Sequence, residues 1–264
     1  MHLALGGKSA IVTGGSDGIG LEVALAFAAE GCNVGICGRT KEKLEKALER
    51  LRATGVKAMG ATTDVTSGEQ AARFLDACES SLGRIDILVN NVGGSVGGSL
   101  MASSDDDWAE TFELNVIQTI RMIRIVAPRM RAVGGGSIVN ISSISGWQPQ
   151  LCGTLQYGAA KAALIYLTEP LALELAASGI RLNTVSPGSI LCEGGGWHRY
   201  RSLNPEQFAR HVENAYPYGR LGTTEEVAAA VVFLASSRAS WISGRNLGVD
   251  GLQQPVPAEG KQLW

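Results

Sequence analysis

Histidine is scarce in this chain, three in 264 residues, and neither His198 nor His211 has a carboxylate in ligand spacing, which argues against a metal site. Charge of one sign is also missing. Twenty-three Lys and Arg stand against 25 Asp and Glu, a net charge of -2, so no field draws the chain to nucleic acid or to an anionic membrane. No apolar run approaches the roughly 20 residues that cross a bilayer, and the first eight residues lack a basic segment followed by a long apolar one. The five cysteines, Cys32, Cys37, Cys78, Cys152 and Cys192, are odd in number and include no Cys-x-x-Cys pair. Such usage fits small buried hydrophobes in a reducing, cytoplasmic setting rather than a disulfide framework.

What is present is an apolar chain, 45% hydrophobic, of a length that buries a sizeable core as one α/β domain over residues 1–264. Short β-rich runs near 9–13, 33–37, 56–61, 85–90, 136–141, 180–185 and 245–249 alternate with helical patterns. That alternation predicts parallel strands joined by right-handed crossovers, a doubly wound sheet with helices on both faces. Ligands of such sheets lie outside the carboxyl ends of the strands. No repeat, low-complexity tract or linker interrupts the pattern.

Two constellations fall at those ends. The first follows the apolar run Ser9-Ala10-Ile11-Val12, where Thr13-Gly14-Gly15-Ser16-Asp17-Gly18-Ile19-Gly20 leads into a helical pattern. A buried strand, a glycine turn and a helix start let bare backbone approach a pyrophosphate, whose charge the first-turn N–H groups favour. The spacing is Gly-x-x-x-Gly-x-Gly. The second is Tyr157 and Lys161, four apart and so on one helix face, fourteen residues after Ser143. A fixed positive charge favours the phenolate of a nearby tyrosine, whose ordinary pKa is about 10, and a serine hydroxyl beside it suits one carbonyl or alcohol oxygen.

Together with Asn90-Asn91-Val92-Gly93, Asn115 and Ser186-Pro187-Gly188, these residues resemble the short-chain dehydrogenase/reductase family from Gly7 to about Gly251, and within it the 3-oxoacyl-carrier-protein reductase-like set. The resemblance implies a Rossmann fold and an NAD(P)-dependent exchange between a ketone and a secondary alcohol. It assigns Tyr157 as acid/base and Ser143 as the group polarising the oxygen. Lys161 lowers the phenol and holds the nicotinamide ribose; Asn115 disrupts its helix locally, with a backbone that holds a relay water. Ser142 is the packing neighbour of Ser143. Gly14, Ser16, Asp17, Gly18, Ile19 and Gly20 correspond to the cofactor loop, Asp64-Val65 to the adenine contact, Asn91 and Gly93 to the adenosine ribose. Pro187, Gly188 and Ile190 correspond to the nicotinamide side, and Tyr157 and Lys161 also touch the cofactor. Arg39, after Gly38 at the end of the second strand, replaces the acid that would bond the ribose hydroxyls, so NADP(H) is favoured and NAD(H) remains possible. Asp17 stands against that, as a carboxylate where NADP-preferring relatives often carry a base. A plain alternative leaves Arg39 solvated beside Lys41 and Lys43, and Asp64 capping the next helix.

Members of the family form dimers and tetramers through the helices after Asn115 and Tyr157, which predicts a homodimer or homotetramer. The chain departs from the family pattern in Cys192, where a threonine often bonds the carboxamide, and in Pro170, which should kink its helix. The fourteen-residue interval from Ser143 to Tyr157 points to an insertion around Trp147-Gln148-Pro149-Gln150. Residues 191–218, with three consecutive glycines, Trp197, His198, Tyr200 and Pro205, read as a substrate lid. Two rival functions stay open: an NAD-dependent diol or alcohol dehydrogenase, and a non-catalytic dinucleotide sensor.

Overall fold

A computed structural model describes residues 2–148 and 155–256. Strands β1 (Ser9–Val12), β2 (Asn33–Gly38), β3 (Ala58–Thr62), β4 (Ile87–Asn90), β5 (Gly136–Ile141), β6 (Ile180–Pro187) and β7 (Asn246–Val249) form one sheet. Its order is β3-β2-β1-β4-β5-β6-β7, and every pairing is parallel. Each predicted strand is present, with ends displaced by a residue or two. β1 and β4 are buried along their whole length, as parallel strands covered on both faces must be.

The pleat sends alternate side chains to opposite faces, and each face has its own core. Ala10, Val12, Ile87 and Val89 join one cluster with residues of α1 (Gly18–Ala29), α2 (Lys41–Arg52) and α9 (Thr224–Ala235). Ile11, Leu88 and Ile138 join the other, under α3 (Gly68–Leu82), α5 (Gln118–Ala132) and α6 (Leu155–Ala176). α2 shows the cause most plainly: Leu44, Ala47, Leu48 and Leu51 repeat at helical spacing and are buried, while its charged residues face out. Phe27 and Phe74 anchor the two clusters and are fully buried; truncating either to alanine costs about 3–5 kcal/mol.

α4 (Asp105–Phe112) runs into α5 through a π turn over Glu113–Ile117, which contains Asn115. This is the local helix disruption expected there. Pro170 lies inside α6 without ending it, and Pro128 inside α5 likewise. Residues 191–218 fold into α7 (Gly196–Leu203) and α8 (Pro205–Ala215), the latter starting on proline as a helix readily does. Cys32, Cys37 and Cys78 are buried free thiols. Burial pushes Cys32 and Cys37 up to about 12 and raises Cys78 as well. Among the described residues no helix is long and apolar enough to cross a membrane. Residues 149–154, with Cys152 and the Pro149-Gln150 part of the expected insertion, lie outside the described residues.

β1 sits between β2 and β4, so the chain winds outward in both directions from it. The crevice this leaves at the carboxyl ends is the ligand position of a doubly wound sheet.

Candidate active site

Backbone shapes the β1 end of the crevice. Gly14 adopts φ +65°, and a Cβ on Gly20 would collide with the Gly14 carbonyl, so the turn and the helix start close only with glycine at both places. Thr13 leaves β1 to brace the turn: its Oγ1 accepts from Asn91 N at 3.0 Å and Val92 N at 3.3 Å. Asn91 Nδ2 donates back to the Thr13 and Gly14 carbonyls. Asp17 is the N-cap of α1, accepting from Gly18 N at 2.9 Å. Gly18, Ile19 and Gly20 form the first turn of α1, with the Gly18 N–H taken up by the Asp17 carboxylate.

A cavity of about 440 Å³ opens there, and its walls include Gly14, Ser16, Asp17, Arg39, Asp64, Val65, Asn91 and Gly93, eight of the residues singled out from the sequence. Cys37, Gly38, Thr63, Val92 and Leu114 complete it. Asp64 does not cap α3, whose N-cap is Ser67. Its Oδ1 instead accepts from the Thr66 hydroxyl and amide, which holds the carboxyl below its ordinary range, with a lesser contribution from Arg39.

The catalytic candidates lie farther along. Lys161 is 2% exposed; its Nζ donates to the Ile141 carbonyl at 3.0 Å and stands 5.4 Å from the Tyr157 ring centre. Burial drives the ammonium down to about 7. Burial also raises the Tyr157 phenol, and its hydrogen bond with Ser143 acts in the opposite sense. The expected lowering of the phenol is therefore outweighed in the protein itself by the burial of the tyrosine. Ser142 and Ser143 separate cleanly: Ser142 Oγ donates to the Lys161 carbonyl at 2.9 Å and ties the sheet to α6, while Ser143 meets the phenol. Gly93 leaves the space between these groups, since a Cβ there would lie 2.8 Å from Lys161 Nζ and 2.7 Å from Asn115 Oδ1.

Asn115 works as a strut. Nδ2 donates to the carbonyls of Gly94 at 2.6 Å and Thr111 at 2.7 Å, Oδ1 accepts from Gly94 N, and its own carbonyl accepts from Thr119 Oγ1 at 2.8 Å. Thr111, Gln156 and Ser103 extend the bracing through residues 96–98. Thr111 bonds Val96 N, Gln156 Nε2 donates to the Val96 carbonyl and to Ser103 Oγ, and Ser103 bonds Gly98 N. Nothing local in the sequence marks these partners, which are drawn from as far as 60 residues away.

On the opposite wall Gly188 N donates to the Val249 carbonyl at 2.9 Å, and Gln253 Oε1 accepts from Ser189 N at 2.8 Å. Ile190 pairs with Gly222 in a short bridge and packs on the core; Pro187, which closes β6, pairs with Val249. Cys192 Sγ lies against Gly18 at the start of α1. In the 191–218 segment Trp197 stacks on His211 at 5.1 Å, and Leu191, Phe208 and Val212 pack with Ala215, Tyr216 and Leu221. Trp197 and Tyr200, expected to offer apolar cover to a substrate, are taken up within the segment, while Leu203 is exposed. Among the described residues no group of three His, Cys, Asp or Glu side chains could hold a metal ion.

Comparison with known proteins gives this arrangement its context. The family model described as enoyl-(acyl carrier protein) reductase matches residues 14–251. An uncharacterized oxidoreductase of Mycobacterium tuberculosis is 38% identical over 257 residues, 95% of each chain. The 7alpha-hydroxysteroid dehydrogenase of Escherichia coli is 33% identical over 250 residues, again 95% of each. A 7 alpha-hydroxysteroid dehydrogenase solved with NADH and 7-oxo glycochenodeoxycholic acid superposes with a TM-score of 0.89 at 32% identity, covering 97% of both chains. L-sorbose reductase from Gluconobacter frateurii, solved with NADPH and L-sorbose, also gives 0.89, at 33% identity over 95% of this chain and 98% of that one. On its matched length, its sheet order and these likenesses, the chain belongs to the short-chain dehydrogenase/reductase family of oxidoreductases.

Proposed function

We propose that the chain interconverts a ketone and a secondary alcohol by hydride transfer with a nicotinamide dinucleotide, NADP(H) being the favoured form. The observation that carries this reading is the contact of the Ser143 hydroxyl with the Tyr157 phenol beside the Lys161 ammonium. Two hydroxyls converging on one point suit a single substrate oxygen. The glycine turn that admits only backbone, the start of α1 directly after it and the 440 Å³ cavity fit a dinucleotide. When bound, that cofactor supplies the hydride and its acceptor.

In reduction Tyr157 gives its proton to the carbonyl oxygen, and Ser143 polarises that oxygen by donating a hydrogen bond. Lys161 holds the nicotinamide ribose and favours the phenolate left behind. Asn115 positions the 94–98 wall and, through its backbone, the water that returns a proton to Lys161. With a dinucleotide bound, Arg39 would hold the adenosine 2′-phosphate, Asp64 and Val65 the adenine, and Asn91 and Gly93 the adenosine ribose. Pro187, Gly188 and Ile190 line the nicotinamide side. The 191–218 helices form the outer wall or lid of the substrate space in a single domain over 1–264. Exposed Ile117, Tyr166 and Leu173 on the π turn and α6 suit burial in a homodimer or homotetramer. The reading places the enzyme in the cytoplasm.

Named relatives act on a hydroxysteroid and on a sugar, so the ketone is left at the level of its reacting group. Titrating the protein with NADPH and NADH, then following cofactor oxidation against a panel of steroid, sugar and acyl ketones, tests the proposal. Tight NADPH binding with turnover supports it; binding without turnover on any ketone favours the sensor; tighter NADH binding with alcohol oxidation favours the NAD-dependent dehydrogenase.

A further inference from the structure

Asp17 is the residue that argues against NADP(H), and the structure gives its carboxylate a second partner. Oδ1 caps α1, while Oδ2 lies 2.6 Å from Nζ of Lys43, in the first turn of α2. Asp17 lines the cavity together with Ser16, Gly38 and Arg39, so this ion pair spans from the glycine turn to α2 at the end of the cavity where Arg39 stands. Both side chains are more than half exposed, at 58% and 56%. An ion pair so exposed contributes little to stability. Its effect on an incoming anion is larger, because an uncompensated carboxylate beside a phosphate repels it across a few ångströms that water screens incompletely.

We propose that Lys43 is a positioning residue for cofactor choice: by holding and neutralising Asp17 it lets a 2′-phosphate approach Arg39. This rests on the nicotinamide-dependent reading above and sharpens it, since it explains how a chain with an acid in its cofactor loop accepts the more highly charged dinucleotide. Lys43 acts through Asp17, so removing the lysine matters only while the aspartate is charged.

The test is a cycle of Kd values for NADPH and NADH, read from quenching of protein fluorescence at low and high salt, with melting temperature of the cofactor-free protein as the control for folding. Lys43→Met should raise the NADPH Kd about tenfold and the NADH Kd less than about threefold, with the difference shrinking at high salt. Lys43→Arg should bind as the unsubstituted chain does, because the charge is kept. Asp17→Asn keeps a capping oxygen, and in that background Lys43→Met should cost no more than about threefold. Equal weakening of both cofactors by Lys43→Met, no weakening, or a full loss persisting in the Asp17→Asn background would overturn the proposal. If the unsubstituted chain prefers NADH while Lys43→Met still selectively weakens NADPH, the assigned preference fails and the role of Lys43 stands. No saturable binding of either cofactor would overturn both.

Discussion

At the adenosine end the crevice is formed by backbone: a left-handed Gly14, a Gly20 that admits no Cβ, and an α1 first turn presented by its Asp17 cap. At the substrate end the backbone of residues 94–98 has no regular structure, and side chains of Asn115, Thr111, Gln156 and Ser103 hold it in place. On the proposed function the first end recognises what all dinucleotides share, and bare N–H groups serve for that. On the same proposed function the second discriminates among ketones, and a wall braced by replaceable side chains can be reshaped without disturbing the sheet. Tyr157, with the Ser143 hydroxyl on it and the Lys161 ammonium beside its ring, carries the proposed proton transfer, so its substitution should be the most damaging.

The largest expected effect separates chemistry from binding. Tyr157→Phe should lower kcat by about 10²–10⁴-fold, the usual worth of a positioned general acid, while cofactor affinity stays within a few fold. Retention of more than about a tenth of the activity would remove the assigned role. Next, Arg39→Asp attacks only the adenosine end. Charge-assisted hydrogen bonds are worth roughly 1.5–3 kcal/mol, so the ratio of NADPH to NADH Michaelis constants should move about ten- to a hundredfold toward NADH, with kcat on the preferred ketone nearly unchanged.

A smaller effect should be confined to the substrate end. Gln156→Ala leaves the Val96 carbonyl without its amide donor, at a cost of about 1–3 kcal/mol. Substrate KM should rise roughly tenfold while cofactor Kd holds, because Gln156 reaches the wall and not the glycine turn. If both constants rose together, the two ends would be coupled and the comparison drawn above would break.

A last effect, outside the comparison of the two ends, is a pH dependence of stability. Lys161 titrates near 7 in the folded chain and near its ordinary 10.5 when unfolded. Between those values the unfolded chain binds the extra proton, so the contribution of this group to stability rises with pH across that window and is least below about 7. Lys161→Met should therefore gain stability relative to the parent at pH 6, and the gain should vanish as pH approaches 10.5, as chemical denaturation at a series of pH values will show. Measuring the difference between the two proteins cancels the raised cysteines, which both carry.

The contrast between the ends also explains what was legible in the sequence. The sheet, its parallel order and the glycine turn could be read because they depend on local patterns: buried apolar runs, helical spacing as in α2, and glycines whose necessity is set by neighbours a few residues away. Tyr157, Lys161 and Ser143 could be read from helix spacing and proton chemistry, the role of Asn115 only by resemblance to a family, and the choice of Ser143 over Ser142 becomes a physical one when Ser142 is seen bonded to the Lys161 carbonyl. Thr13, Gln156, Gln253 and Lys43 were not singled out, because each acts on a residue brought near by the fold: Thr13 on Asn91, Gln156 on Val96, Gln253 on Ser189, Lys43 on Asp17. Trp197 and Tyr200 have partners that the sequence alone does not show. Aromatic residues beside a glycine run suggest a cover, yet they are satisfied by Phe208 and His211 within their own helical pair.

The most direct test of the central claim follows the hydrogen itself. NADPH deuterated at the transferring position of the nicotinamide is supplied with a ketone that the protein turns over, and the alcohol is analysed by mass spectrometry and NMR. The account predicts one deuterium on the carbinol carbon in ordinary water, none there when unlabelled cofactor is used in heavy water, and labelled product formed at least about a hundredfold more slowly with Tyr157→Phe. Label arriving at that carbon from solvent, or an alcohol formed at the parent rate by the Tyr157→Phe protein, would contradict it.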